Sequence, residues 1–261
     1  TRVRSSAASD VYKRQYLLSE FLSPNVNQRT DEWGGSIENR SRLLITTIEA
    51  IRDKVGGNFP ISVKLNSSDF QKGGFTHEES IQVARILNNT SLDLLEISGG
   101  TYENFTALEM DSFNLKKAKT IKPQRSTIVR EAYFLKYAEA IKDAISIPLA
   151  VTGGFRSAEG MNNALQSGAC DVIGLGRPLC SEPDIVNKLI SGEKKSATLY
   201  ENMLEFGPWI LGLNSPISLM RSNNKAAQVY WCYRQILKIA DGNEVDTCLL
   251  YTSDAADDLT R

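Results

Sequence analysis

The hydrophobic period of this chain switches back and forth between helix-like and strand-like spacing, and that alternation limits the fold more than any single residue does. The stretch "SIENRSRLLITTIEAIRDKVGG" offers Ser36 as a cap, apolar Ile37, Leu44, Ile48 and Ile51 on one helical face, and Gly56 as a stop. "PISVKLN" follows as a short strand. "THEESIQVARILNN" is a second helix, with Thr76 as its cap and Glu79 at the capping-box position. Further on, "LDLLEIS" reads as a strand, "STIVREAYFLKYAEAIKDAI" as a helix, "IPLAVT" as a strand, "SAEGMNNALQSG" as a helix, "CDVIGLG" as a strand and "EPDIVNKLISG" as a helix. Strands this apolar, each followed by a helix, call for parallel pairing with helices packed outside. No low-complexity tract or long linker interrupts the series, so one α/β domain is expected.

Glycine placement separates two parallel architectures. A doubly wound dinucleotide fold wants G-x-G-x-x-G between its first strand and helix, with an acid about twenty residues on. "GGFRSAEG" has the wrong spacing for it. A (β/α)8 barrel instead builds a phosphate site from the loops after its last two strands. Here the last two strands run into "TGGFR" (152–156) and "GLGRP" (174–178). Glycine at such loops lets backbone N–H groups approach phosphate oxygens, and Arg177 offers a planar fork of charged donors. The residues therefore point to the C-terminal half of a (β/α)8 TIM barrel.

The two ends of the chain are set apart from this pattern. "SSAASDVYKRQ" (5–15) and "CLLYTSDAADD" (248–258) are related as DNA: the first, back-translated, reverse-complemented and read one base out of register, encodes the second. That oligonucleotide resembles a transposase adapter used in preparing sequencing libraries. Residues 1–15 and 248–261 are accordingly read as adapter-derived and non-native, and residues 16–247 as part of a longer protein.

Composition narrows the partners. With 30 Lys+Arg against 31 Asp+Glu, the surface is near neutral, which argues against nucleic acid or an anionic membrane as the main partner. No apolar run nears the ~18 residues needed to span a bilayer. Cys170, Cys180 and Cys232 include no Cys-x-x-Cys pair, which argues against a disulfide framework or a thiolate zinc site and fits free thiols in the cytoplasm. The expected partner is a small molecule, and exposed strand edges are compatible with a homo-oligomer.

The segments "YLLSEFLSPNVNQRTDEWGGSIENRSRLL", "SVKLNSSDFQKGGF", "LLEISGGTYE", "VTGGFR" and "GLGRPL", in this order and spacing, resemble the Old Yellow Enzyme family of FMN-dependent NAD(P)H:flavin oxidoreductases, near its enoate-reductase-like members. The long pattern N-x-R-x-D-x-[YW]-G-G-S carries most of the specificity. The resemblance implies that "PISVKLN" is the fifth barrel strand, that residues 16–198 are a partial FMN-binding barrel, and that residues 199–247 are a C-terminal helical extension. It implies Lys64 beside the N1 and C2-carbonyl edge of the flavin, where a cation stabilises the reduced ring. Gly153, Gly154, Gly176 and Arg177 would hold the FMN phosphate. Tyr16 would protonate the substrate's α-carbon after hydride, drawn from NAD(P)H through the flavin, reaches the β-carbon. The family's carbonyl-binding His pair lies just upstream of that tyrosine, where this chain carries adapter sequence.

Plainer readings stand beside these. Lys64 by itself is compatible with a snorkelling side chain, and Tyr16 with packing on Leu17 or Phe21. His77 reads as a helix-start residue, Glu96 and Asp69 as too isolated for an acid–base pair, and Cys180 as packing. Trp209, Tyr230 and Trp231 read as core covering the barrel edge. The phosphate loops alone leave open a flavin-free barrel acting on a phosphorylated small molecule, or a non-catalytic fragment.

Overall fold

The computed structural model describes residues 17–69, 72–98, 135–200, 203–204, 209–212 and 214–246. Tyr16, the first nine residues of the helix expected from 126, and the side chain of Trp209 lie outside that description. The chain divides into two compact units: Thr1–Gly154 with Asn162–Gly174, and Phe155–Met161 with Leu175–Arg261.

The first unit is built on four parallel strands, β1 (Ser62–Asn66), β2 (Leu94–Ser98), β3 (Leu149–Thr152) and β4 (Val172–Gly174), paired in chain order. A doubly wound sheet reverses its strand order at a switch point. Among the described residues the order follows the chain, β1-β2-β3-β4, with no such reversal. Helices α1 (Leu17–Leu22), α2 (Ile37–Val55), α3 (His77–Leu87) and α4 (Leu135–Lys142) accompany the strands. Their starts follow the local sequence. Ser36 Oγ accepts the Asn39 N–H, and Thr76 and Glu79 form the reciprocal capping box. Ile37, Leu44 and Ile48 are buried as the helical period requires, whereas Ile51 lies at the margin of that face, 39% exposed.

Strand alternation sorts the sheet into two faces. Leu65, Leu95, Ile97, Leu149 and Val151 are all buried on one. The other carries the row Lys64, Glu96, Ala150, Val172, followed by the pairs Asn66–Ser98 and Thr152–Gly174. Only one face of the sheet is thus uniformly apolar, which leaves the second free for chemistry.

The N-terminal ends of the strands are held by a repeated device. Asp93, just before β2, accepts the Ile61 N–H at 2.7 Å and pairs with Arg52 of α2. Asp171, just before β4, accepts the Leu149 N–H at 2.7 Å and pairs with Lys142 of α4. Each carboxylate ties the start of one strand to the helix before it and to the strand after it. Both are held below the usual carboxylate range, Asp93 chiefly by the Ile61 amide and then Arg52, Asp171 chiefly by Lys142 and then the Leu149 amide.

The most family-specific stretch of sequence is a self-bonded loop leading into α2. Asn27 Nδ2 donates to the carbonyls of Phe21 (2.8 Å) and Trp33 (2.7 Å), and Asn39 Nδ2 donates to Gly34 O at 3.1 Å. Arg40, 4% exposed, donates to the carbonyls of Gly35 and Leu22 and pairs with Glu79. The guanidinium of Arg40 is engaged with three partners inside the chain, so these residues are read as scaffold.

In the second unit, α6 (Arg177–Ser181), α7 (Ile185–Ile190) and the long α8 (Ser218–Ala240) follow the strands, while α5 (Ala158–Gln166) begins in this unit and ends in the first. Ile185, Leu189 and Ala197 form a small core with Ala158, Met161 and Leu175 around it. Trp231 is buried beneath Tyr200 (5.2 Å between ring centroids), and its indole N–H donates to Asp246 O. Tyr230, expected in the core, is 76% exposed: the turn that carries Trp231 inward points its neighbour out.

Candidate functional site

The C-terminal ends of the strands gather three of the residues singled out from the sequence. Lys64 stands two residues before the end of β1 on the non-apolar face, its side chain 54% exposed. The parallel register places it opposite Glu96, and Lys64 Nζ lies 2.9 Å from Glu96 Oε1. Same-face neighbours on adjacent strands meet in this way. Each is the single charged residue within its strand. Glu96, read from sequence as isolated, is therefore the ion-pair partner of Lys64.

Beyond β3 come Gly153 and Gly154, with φ of 128° and 86°. Side chains seldom tolerate such dihedrals. The loop thus needs glycine for its path and leaves its amides without Cβ cover. At the end of β4, a Cβ added to Gly174 would lie 1.8 Å from Thr152 Oγ1. Sequence reasoning missed this requirement, because nothing local to β4 signals that Thr152 faces it.

Between β1 and α3, Asp69 and Phe75 are held together. Asp69 Oδ2 accepts the Phe75 N–H at 3.0 Å while the Asp69 N–H donates to Phe75 O at 2.9 Å. Asp69 is a loop clamp. His77 opens α3 and meets Tyr137 edge-on at 4.8 Å, a packing role.

Gly176 and Arg177 belong to the second unit. Gly176 has φ −111° and precedes α6, which begins with Arg177. A Cβ on Gly176 would meet no atom within 4 Å. Arg156, in the stretch "TGGFR" but not singled out earlier, is 7% exposed and donates to Phe155 O at 2.7 Å. Ser157 caps α5 through the Gly160 N–H at 3.0 Å, and the Ala158 N–H donates to Lys195 O at 2.9 Å. Those two amides are spent inside the chain, so the start of α5 offers an anion less than an open helix end would.

The first unit thus holds a cation on the strand face and a left-handed glycine turn after β3, and the second unit holds an arginine after β4. The sequence pattern of the NADH:flavin oxidoreductase / NADH oxidase family matches residues 11–196. The chain belongs to this family. Among the family's proteins, it is 37% identical over 185 residues to an NADH-dependent flavin oxidoreductase of Aspergillus parasiticus, covering 70% of this chain and 39% of the relative. It is 30% identical over 188 residues to a cinnamate reductase of Clostridium sporogenes, covering 67% of this chain and 26% of that one. An Old Yellow Enzyme homologue from Zymomonas mobilis shares the TIM-barrel fold, with a TM-score of 0.51 at 22% identity over 77% of this chain and 50% of its own. The chain spans 26–39% of the length of these two curated relatives.

Proposed function

We propose that this chain is the C-terminal half of the FMN-binding barrel of an NAD(P)H-dependent ene-reductase, its four strands being barrel strands five to eight. The observation that carries the proposal is Lys64, a charged side chain on the open face of a parallel sheet, at the strand end toward which the Gly153–Gly154 turn also opens. The family assignment and the relative named a cinnamate reductase support the same reading, cinnamate being an α,β-unsaturated carboxylate.

Bound FMN would supply the hydride chemistry, taking hydride from NAD(P)H and passing it to the β-carbon of an α,β-unsaturated carbonyl or enoate. Lys64 would hold the N1 and C2-carbonyl edge of the ring by charge. Lysine offers a point charge there instead of a fork, and Glu96 fixes where that charge stands. Gly153, Gly154 and Gly176 would present backbone amides to the phosphate, and Arg177 would supply a charge-assisted donor. Tyr16 would hand its Oη proton to the substrate's α-carbon. Residues 16–247 by themselves are expected to reduce enones negligibly, and to do so at an enzyme-like rate when joined to the first four strands.

The test is FMN and riboflavin affinity of the full-length enzyme, wild type against Arg177→Ala, by fluorescence quenching. A charge-assisted hydrogen bond contributes about 1.5–3 kcal/mol, so FMN should weaken about 10- to 100-fold and riboflavin, which lacks the phosphate, much less. Equal weakening of both would remove Arg177 from the phosphate site.

A further inference from the structure

None of the described cysteines Cys170, Cys180 and Cys232 is in a disulfide, and their settings differ. Cys170 is buried, 2% exposed, and burial pushes its thiol up to about 11. Cys180 lies in α6, only partly buried, and its Sγ donates to Gly176 O at 3.8 Å. Helix α6 packs against α8. The inward face of α8 is marked by Asn224, Trp231 and Gln235, all nearly inaccessible. Cys232 falls on the same stripe, eight residues after Asn224 and three before Gln235, and is itself partly buried. Its side chain is the hydrogen-bonding neighbour of the Cys180 thiol, across the α6–α8 packing. That bond, with the charge of Arg177 adding to it, outweighs burial and brings the Cys180 thiol down to about 7. A partly accessible thiolate beside a second thiol is the arrangement that exchanges with disulfides.

We propose that Cys180 and Cys232 form a redox-active dithiol, oxidised to an intramolecular disulfide that ties α6 to α8. With oxidised glutathione as oxidant, the Cys180 thiolate attacks one glutathione sulfur, forming a protein–glutathione disulfide and releasing one glutathione thiolate. The Cys232 sulfur then displaces the second glutathione from Cys180. The protein loses two hydrogens and two electrons, and the glutathione disulfide is reduced to two thiols. The new bond replaces the Cys180 S–H that donates to Gly176 O. Because the pairing of the two thiols comes from the packing of α6 against α8, the proposal stands whether or not Gly176 and Arg177 hold phosphate.

The test uses the full chain. It is incubated at neutral pH with oxidised glutathione, its remaining thiols are blocked with iodoacetamide under denaturing conditions, and it is cleaved before aspartate without reduction. Cleavage at Asp171, Asp184 and Asp241 places Cys170, Cys180 and Cys232 on separate peptides. The expected product joins the Cys180 and Cys232 peptides with a loss of two hydrogens, leaving Cys170 alkylated. Cys180→Ser and Cys232→Ser should each abolish the joined peptide, and Cys170→Ser should leave it in place. Separately alkylated or separately glutathionylated Cys180 and Cys232 in the wild-type chain would overturn the proposal, as would pairing of either with Cys248.

Discussion

The stretches 152–156 and 174–178, at the ends of β3 and β4, look alike as sequence, each with two glycines and an arginine, yet glycine stands in them for different reasons. In the first, Gly153 and Gly154 hold left-handed dihedrals that other residues strain to adopt. In the second, Gly174 makes room for Thr152 on the neighbouring strand, while Gly176 has an ordinary φ and open space around its Cα. Conformation explains one loop and packing half of the other. Gly176 has neither a positive φ nor a crowding neighbour among the described residues.

That contrast breaks most visibly at Gly174. A Gly174→Ala methyl would overlap Thr152 Oγ1, and overpacking of this kind costs about 1–3 kcal/mol. Urea unfolding should place it at the upper end, with a second substitution, Thr152→Gly, recovering part of the loss. Full stability in Gly174→Ala would show that the strands adjust freely there. Gly154→Ala should cost about 1–2 kcal/mol through its positive φ, and Gly154→Asn less, since asparagine tolerates the left-handed region better. If alanine and asparagine cost the same, the dihedral is not what the loop needs.

The opposite ends of the strands sharpen the comparison through pH. Asp93 and Asp171 have folded-state pKa values lowered by their amide and cationic partners. Their contribution is therefore present above the ordinary carboxylate range and is lost as pH falls through the lowered folded values. Stability should drop on acidification below about pH 4, and Asp171→Asn should flatten that limb while removing about 1 kcal/mol or less at neutral pH, because the pair is partly solvated. An unchanged acid limb would assign the loss to other groups. The smallest effect is expected at Gly176→Ala, within about 0.5 kcal/mol of wild type in unfolding. In the full-length enzyme the same change should weaken FMN, and a variant neutral for both would mean that Gly176 serves neither fold nor cofactor.

Much of the architecture was legible in the chain because it is written locally. The caps at Ser36 and Thr76, the strand–helix alternation and the parallel class depend on residues within a turn or two of one another. The structure bears these out. Lys64 could also be picked out from its own strand, as a charge in an apolar run. What the local pattern could not supply was its partner, since the Lys64–Glu96 pair depends on a register between strands about thirty residues apart. The Thr152–Gly174 contact depends on register in the same way. Which side of α8 turns inward decided that Trp231 is buried, Tyr230 is exposed and Cys232 meets Cys180. Sequence alone determined which elements form and in what order, because capping and periodicity act over a few residues. The tertiary structure decided which side chains meet, because register and helix rotation are settled only when distant apolar faces pack together.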